Sequence, residues 1–180
     1  LPTTATYRGI EVAKIIRRYD ALHDRPVGPA LSGVPLGTVV TVTIQVTTPD
    51  ELSNLLVEDW LPAGLEAIDP NADGASGGGG PRLLWPWLGG CGGWWWRCTS
   101  WSRETRKDAV TFYAGWAHAG THTLSYEAIA ATRGHFALPP TKASAALEPE
   151  LMGLSAAGQL RVAGAGTLPV ALPSNVSALR

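Results

Sequence analysis

The chain has 180 residues and a formal net charge of −1, from 14 Lys and Arg against 15 Asp and Glu. That balance gives no electrostatic basis for a nucleic-acid partner or an anionic membrane. No apolar run approaches the roughly 20 residues that span a bilayer. The length fits one domain with a core of its own. Leu1 opens the chain without an initiator Met or a signal-peptide pattern, so it reads as a fragment, a processed chain or part of something larger.

In chain order, residues 12–19 read as a strand that ends on Arg17-Arg18-Tyr19, and residues 20–37 as a loop punctuated by Pro26, Gly28, Pro29, Gly33, Pro35 and Gly37. Residues 38–48 are the clearest strand. Val40, Val42, Ile44 and Val46 share one face, Thr41, Thr43 and Gln45 the other. Residues 55–60 form another strand, ended by Pro62 and Gly64. Further on, Val110, Phe112, Ala114 and Trp116 fall on one face of a strand. His122, Leu124, Tyr126, Ala128 and Ala130 fall on one face of the next. Ala119-Gly120 between them predicts a hairpin turn. Pro139-Pro140 forces an extended crossing, residues 148–152 allow one helical turn at most, and residues 159–162 suit a short added strand. No stretch keeps a helical apolar period. The fold class expected is all-β, an antiparallel β-sandwich of immunoglobulin-like type.

Residues 69–103 differ in composition. Nine glycines lie between Gly74 and Gly93, and six of the eight tryptophans, Trp85, Trp87, Trp94, Trp95, Trp96 and Trp101, lie here. So long a connection reads as an insertion between sandwich strands. Its first part is linker-like. Its second part must leave water, because each buried indole removes on the order of 150–250 Å². The six tryptophans are the candidate interface, for protein or for carbohydrate, or else a cap on an open face of the sandwich. Cys91 and Cys98 predict a short local disulfide worth on the order of 2–3 kcal/mol; the alternative is two free thiols in a reducing compartment. Asn175-Val176-Ser177 is a glycosylation acceptor pattern. Together these lean toward an extracellular or cell-surface setting.

Two blocks carry a family resemblance. One is Val57-Glu58-Asp59-Trp60-Leu61-Pro62-Ala63-Gly64-Leu65-Glu66. The other runs through Ala119-Gly120-Thr121-His122-Thr123-Leu124-Ser125-Tyr126, then Gly134, Phe136, Pro139-Pro140, Ala143, Pro149-Glu150 and Gly153. The chain resembles the C-terminal macroglobulin-type domain of bacterial-style alpha-2-macroglobulins over most of residues 10–155. The insertion and the segment after Gly153 depart from the family's usual length. The resemblance implies a sandwich domain of a large protease inhibitor that packs near a thioester domain. The thioester needs a Cys and a Gln in a context that neither Cys91 nor Cys98 has.

Other chemistry is weakly represented. His118 and His122 with the two cysteines make a poor zinc set, because the Cys spacing is too wide. Gly153-Leu154-Ser155 resembles a nucleophile elbow only superficially. Glu58 and Asp59 point to opposite faces of a strand, which argues against a shared acid–base site. No catalytic residue, metal or cofactor is expected. The domain expected is residues 1–155 with insertion 69–103, followed by an Ala/Gly/Pro-rich tail at 156–180. The function expected is non-enzymatic: one domain of an extracellular alpha-2-macroglobulin-like inhibitor, with other domains of the parent chain and a protease as partners. The alternative is a structural or adhesion module of a surface assembly.

Overall fold

The computed structural model describes residues 3–69 and 99–164, and Cys91, Cys98, Asn175, Trp85, Trp87, Trp94, Trp95 and Trp96 all lie outside them. The described residues are all-β, with no helix. Strands β1 (Thr6–Arg8), β2 (Glu11–Asp20), β3 (Arg25–Val27), β4 (Gly33–Pro35), β5 (Val39–Thr48), β6 (Leu52–Trp60) and β7 (Leu65–Ala67) precede the insertion. Then follow β8 (Ser102–Thr105), β9 (Ala109–Ala117), β10 (Gly120–Ala130), β11 (Gly134–Leu138), β12 (Lys142–Ala145), β13 (Met152–Leu154) and β14 (Gly158–Ala163).

Two sheets form the sandwich, in the orders β1-β13-β12-β6-β9-β8 and β3-β2-β5-β10-β7. The period-two pattern dictates what lies between them. Val40, Val42, Ile44 and Val46 are buried from the five-stranded sheet, with Leu124, Tyr126, Ala128 and Ala130 beside them. Leu55, Val57, Val110, Phe112 and Ala114 are buried from the six-stranded sheet. A third sheet, β11-β14-β4, adds Val34, Leu160 and Val162 to the same core. The Phe136 ring occupies the space that a Cβ on Gly64 or Gly134 would need, which is why both positions carry glycine.

The hairpin expected at Ala119-Gly120 is not one. β9 pairs with β6 and β8, whereas β10 pairs with β5 and β7, so the connection crosses from one sheet to the other. Both strands have an apolar face, and facing each other across the core buries both. Gly120 still takes a positive φ of 130° there. The strand at 55–60 begins earlier, at Leu52. The loop expected at 20–37 holds two short strands. β3 pairs with β2, and β4 pairs with β14 in a parallel ladder within a mainly antiparallel fold. Their Pro and Gly content hid them: each is three residues long and lies at a sheet edge, where a missing donor is tolerated. The added strand expected at 159–162 is present as β14. It lies past residue 155, inside the segment read as tail, yet buries Leu160 and Val162. The described end of the insertion is likewise structural, since Ser102 and Arg103 open edge strand β8.

Trp116 also departs from its expected face. It is 52% exposed, while its neighbour Ala117 is fully buried. In the β6–β9 ladder Leu55 pairs with Ala114 and Ser53 with Trp116, leaving Asn54 and Gly115 opposite each other between those pairs. Asn54 adopts a φ of 53°. Each strand therefore carries one extra residue at the same level. The ladder stays in register, but the inward set shifts from Leu55 and Ala114 to Leu52 and Ala117, and Trp116 turns outward.

Candidate functional site

Three polar side chains stand where strand alternation calls for apolar ones. Lys14 lies between Val12 and Ile16 on β2, Asp59 follows Leu55 and Val57 on β6, and Tyr126 lies between Leu124 and Ala128 on β10. They meet in the core. The Lys14 Nζ donates to Asp59 Oδ1 at 2.6 Å, with side chains only 3% and 0% exposed. The Tyr126 hydroxyl donates to Oδ2 at 2.6 Å, and the Thr141 hydroxyl to Oδ1 at 2.7 Å. Lys14 also reaches the carbonyls of Pro139 at 3.2 Å and Trp60 at 3.4 Å. The Thr141 backbone is held in turn by Ser155: its N–H donates to Ser155 Oγ at 2.9 Å, and the Ser155 N–H donates to its carbonyl.

A buried carboxylate is costly unless both its oxygens are occupied. Here both are occupied, and by donors from both sides of the sandwich: Lys14 and Tyr126 from the five-stranded sheet, and Thr141, on the segment entering β12, from the six-stranded sheet that carries Asp59 itself. Burial, then the Asp59 charge and the hydrogen bond to it, push the Tyr126 phenol well above its ordinary value of 10.0. The phenol therefore stays a donor. The arrangement fixes the two sheets against each other and leaves no lone pair aimed at solvent. Ser155 is 1% exposed and engaged with Thr141, so the elbow-like sequence around it does not present a nucleophile. Glu58 lies on the opposite side of β6 from Asp59, 3.8 Å from Lys142.

Around the crossing from β9 to β10, His118 Nδ1 lies 3.2 Å from Glu51, and His122 Nε2 lies 2.8 Å from the His118 carbonyl. Trp101 is the one candidate-interface tryptophan within the described residues. It is partly buried against the core and stands edge-on to the His122 ring at 5.6 Å. Among the described residues, no group of three His, Cys, Asp or Glu side chains is placed to hold a metal ion, and no helix is long and apolar enough to cross a membrane.

The outer face of the six-stranded sheet is the second notable feature. Trp60, Tyr113 and Trp116 are exposed on it, with Leu56 paired to Tyr113. The Tyr113 hydroxyl donates to Asn54 Oδ1, so the extra residue of β6 anchors the aromatic neighbour of Trp116. Sequence reading passed over Lys14, Thr141 and this face. The signal for the node was present: a Lys, an Asp and a Tyr at core positions of three apolar strands. Nothing in the sequence marked the extra residues at Asn54 and Gly115.

The sequence profile of the bacterial alpha-2-macroglobulin MG10 domain matches residues 9–150. Among curated proteins, none matches the chain. Several solved structures share the fold. Native Escherichia coli alpha-2-macroglobulin, spanning domain MG7 to the C-terminus, is 21% identical with a TM-score of 0.66, covering 88% of this chain and 24% of that one. Salmonella alpha-2-macroglobulin reacted with methylamine is 24% identical with a TM-score of 0.67, covering 90% of this chain and 10% of that one. Trypsin-activated Escherichia coli alpha-2-macroglobulin is 22% identical with a TM-score of 0.67, covering 88% and 11%. The chain thus spans a quarter or less of the length of these relatives.

Proposed function

This chain belongs to the bacterial alpha-2-macroglobulin MG10 domain family, and we propose that it serves as a non-enzymatic C-terminal domain of an extracellular or cell-surface protease inhibitor, packed against the thioester domain of its parent protein. The match over residues 9–150 carries this reading. The internal geometry agrees with a scaffolding role. The polar groups of the core are spent on holding two sheets together, and both glycines beneath Phe136 belong to the matched region. The similar Escherichia coli protein is activated by trypsin, and the similar Salmonella protein reacts with methylamine. The corresponding reading here is that a protease activates the parent, which then bonds the protease through an acyl group that small amines also open.

The test uses the whole parent protein. Trypsin should cleave it, compact it on native gels and leave a protease adduct that survives denaturation. Pretreatment with methylamine should abolish the adduct. Cleavage without compaction or adduct would overturn the inhibitor reading and leave a structural or adhesion role in its place.

A further inference from the structure

The two outer faces of the sandwich differ in chemistry. On the five-stranded sheet, outward Thr43, Gln45, Ser125 and Glu127 pair with polar residues across the ladder, and Thr41 and the Thr43 hydroxyl among them are buried. On the six-stranded sheet, Trp60, Tyr113 and Trp116 stand 51%, 40% and 52% exposed. Tyr113 and Trp116 lie three residues apart on β9, and neighbouring large aromatics mark a protein-binding surface more than scattered apolar residues do; Trp60, opposite Ala109, stands further along the same face. The charges near them are already neutralised in pairs, Glu58 with Lys142 and Glu104 with Arg106. The face therefore offers apolar area without net charge, which suits a neutral protein surface and not a polyanion. Strand alternation is broken on both strands here: on β9 the extra residue Gly115 puts Trp116 on this side, and on β6 the residue at the same level, Asn54, adopts a left-handed conformation that L-residues adopt at a cost.

We infer that the β6–β9 outer face, centred on Tyr113 and Trp116, is where a neighbouring domain of the parent chain docks through a neutral, apolar patch of its own. This rests on the reading that the chain is one domain of a longer inhibitor. This fold covers only 24% and 10% of two relatives that share it, so most of each lies outside it and is available as a neighbour. Tyr and Trp are the side chains that most often anchor such contacts.

Hydroxyl-radical footprinting of the intact parent tests the inference. Left bare, half-exposed Trp116 should oxidise within about a factor of two of its rate in the urea-unfolded parent. Docked, Trp116 and Tyr113 should be slower by roughly an order of magnitude, because the core of an interface excludes water. Trp116→Ser should then restore oxidation of Tyr113 with the fold intact, as an exposed position allows. Bare-level oxidation of Trp116 in the native parent would overturn the inference. A parent lacking residues 74–96 covers the remaining occupant. Protection that persists supports a neighbouring domain, and protection lost with that segment overturns it. Protease trapping with Trp116 exposed would refute this inference alone. Trp116 protected without trapping would leave the docking face standing and remove the inhibitor reading.

Discussion

The interior of this domain holds a lysine, an aspartate and a tyrosine, while one of its exteriors holds two tryptophans and a tyrosine. The two regions invert the usual placement of polar and aromatic side chains, and they do so under different constraints. The node is closed. Each Asp59 oxygen has a donor, and the carboxylate is fully buried, out of reach of solvent. The aromatic face is open, with its apolar area unspent. The contrast separates what the domain needs to fold from what it has to offer a neighbour. Substitutions inside should damage stability and leave docking chemistry unaltered. Those outside should do the reverse.

The largest effect is expected from Asp59→Ala, which strands Lys14 in the core and should cost about 3–5 kcal/mol in urea unfolding. If the node is an ion pair whose members justify each other, Lys14→Met combined with Asp59→Leu should be less damaging than Asp59→Ala alone. A double variant worse than the single one would show that the charges stabilise the core outright. Gly153→Ala comes next. A Cβ there would run into the Ile10 carbonyl, a backbone atom that cannot rotate away, and overpacking of this kind costs about 1–3 kcal/mol.

Tyr126→Phe removes one hydrogen bond to a charged acceptor and should cost about 1.5–3 kcal/mol near neutrality. Its pH signature is more specific. The folded-state value of Tyr126 is raised, so its contribution is fully present below the ordinary value of 10.0. It is lost as pH rises past that value, because the unfolded chain ionises first. Stability should fall on the alkaline side in the native protein, and the fall should flatten in Tyr126→Phe. An unchanged alkaline limb would contradict the buried, Asp59-bound phenol. The smallest stability effect belongs to Trp116→Ser, within about 0.5 kcal/mol for an exposed site. A loss of several kcal/mol from this change would mean that the face is part of the core's own packing, and the contrast would collapse.

Strand alternation made much of the core legible. The inward sets of β5 and β10 are the ones their sequences present, because a side chain's face is a local property of the strand. Which strand lies beside which is not local. Phe112 and Tyr126 both point inward, yet that is equally true of strands side by side and strands face to face, so the crossing at Ala119-Gly120 read as a hairpin. Trp116 was misplaced because extrapolating from Ala114 assumes an unbroken period, and Gly115 breaks it. The node was readable in principle, as three polar residues at apolar positions. Their mutual contact was not, because it spans 45 residues from Lys14 to Asp59 and 67 from Asp59 to Tyr126.

The extra residues at Asn54 and Gly115 also bear on how this domain tolerates change in length. Because they sit opposite each other, the ladder resumes in register on both sides of them. Deleting either one alone would either leave two residues facing one, a bulge, or displace every pair beyond. Deleting both would leave strict alternation with Leu52, Leu55, Ala114 and Ala117 still inward. The two positions are therefore expected to behave as a linked pair: each single deletion lowers soluble yield of the parent, and the double deletion recovers it.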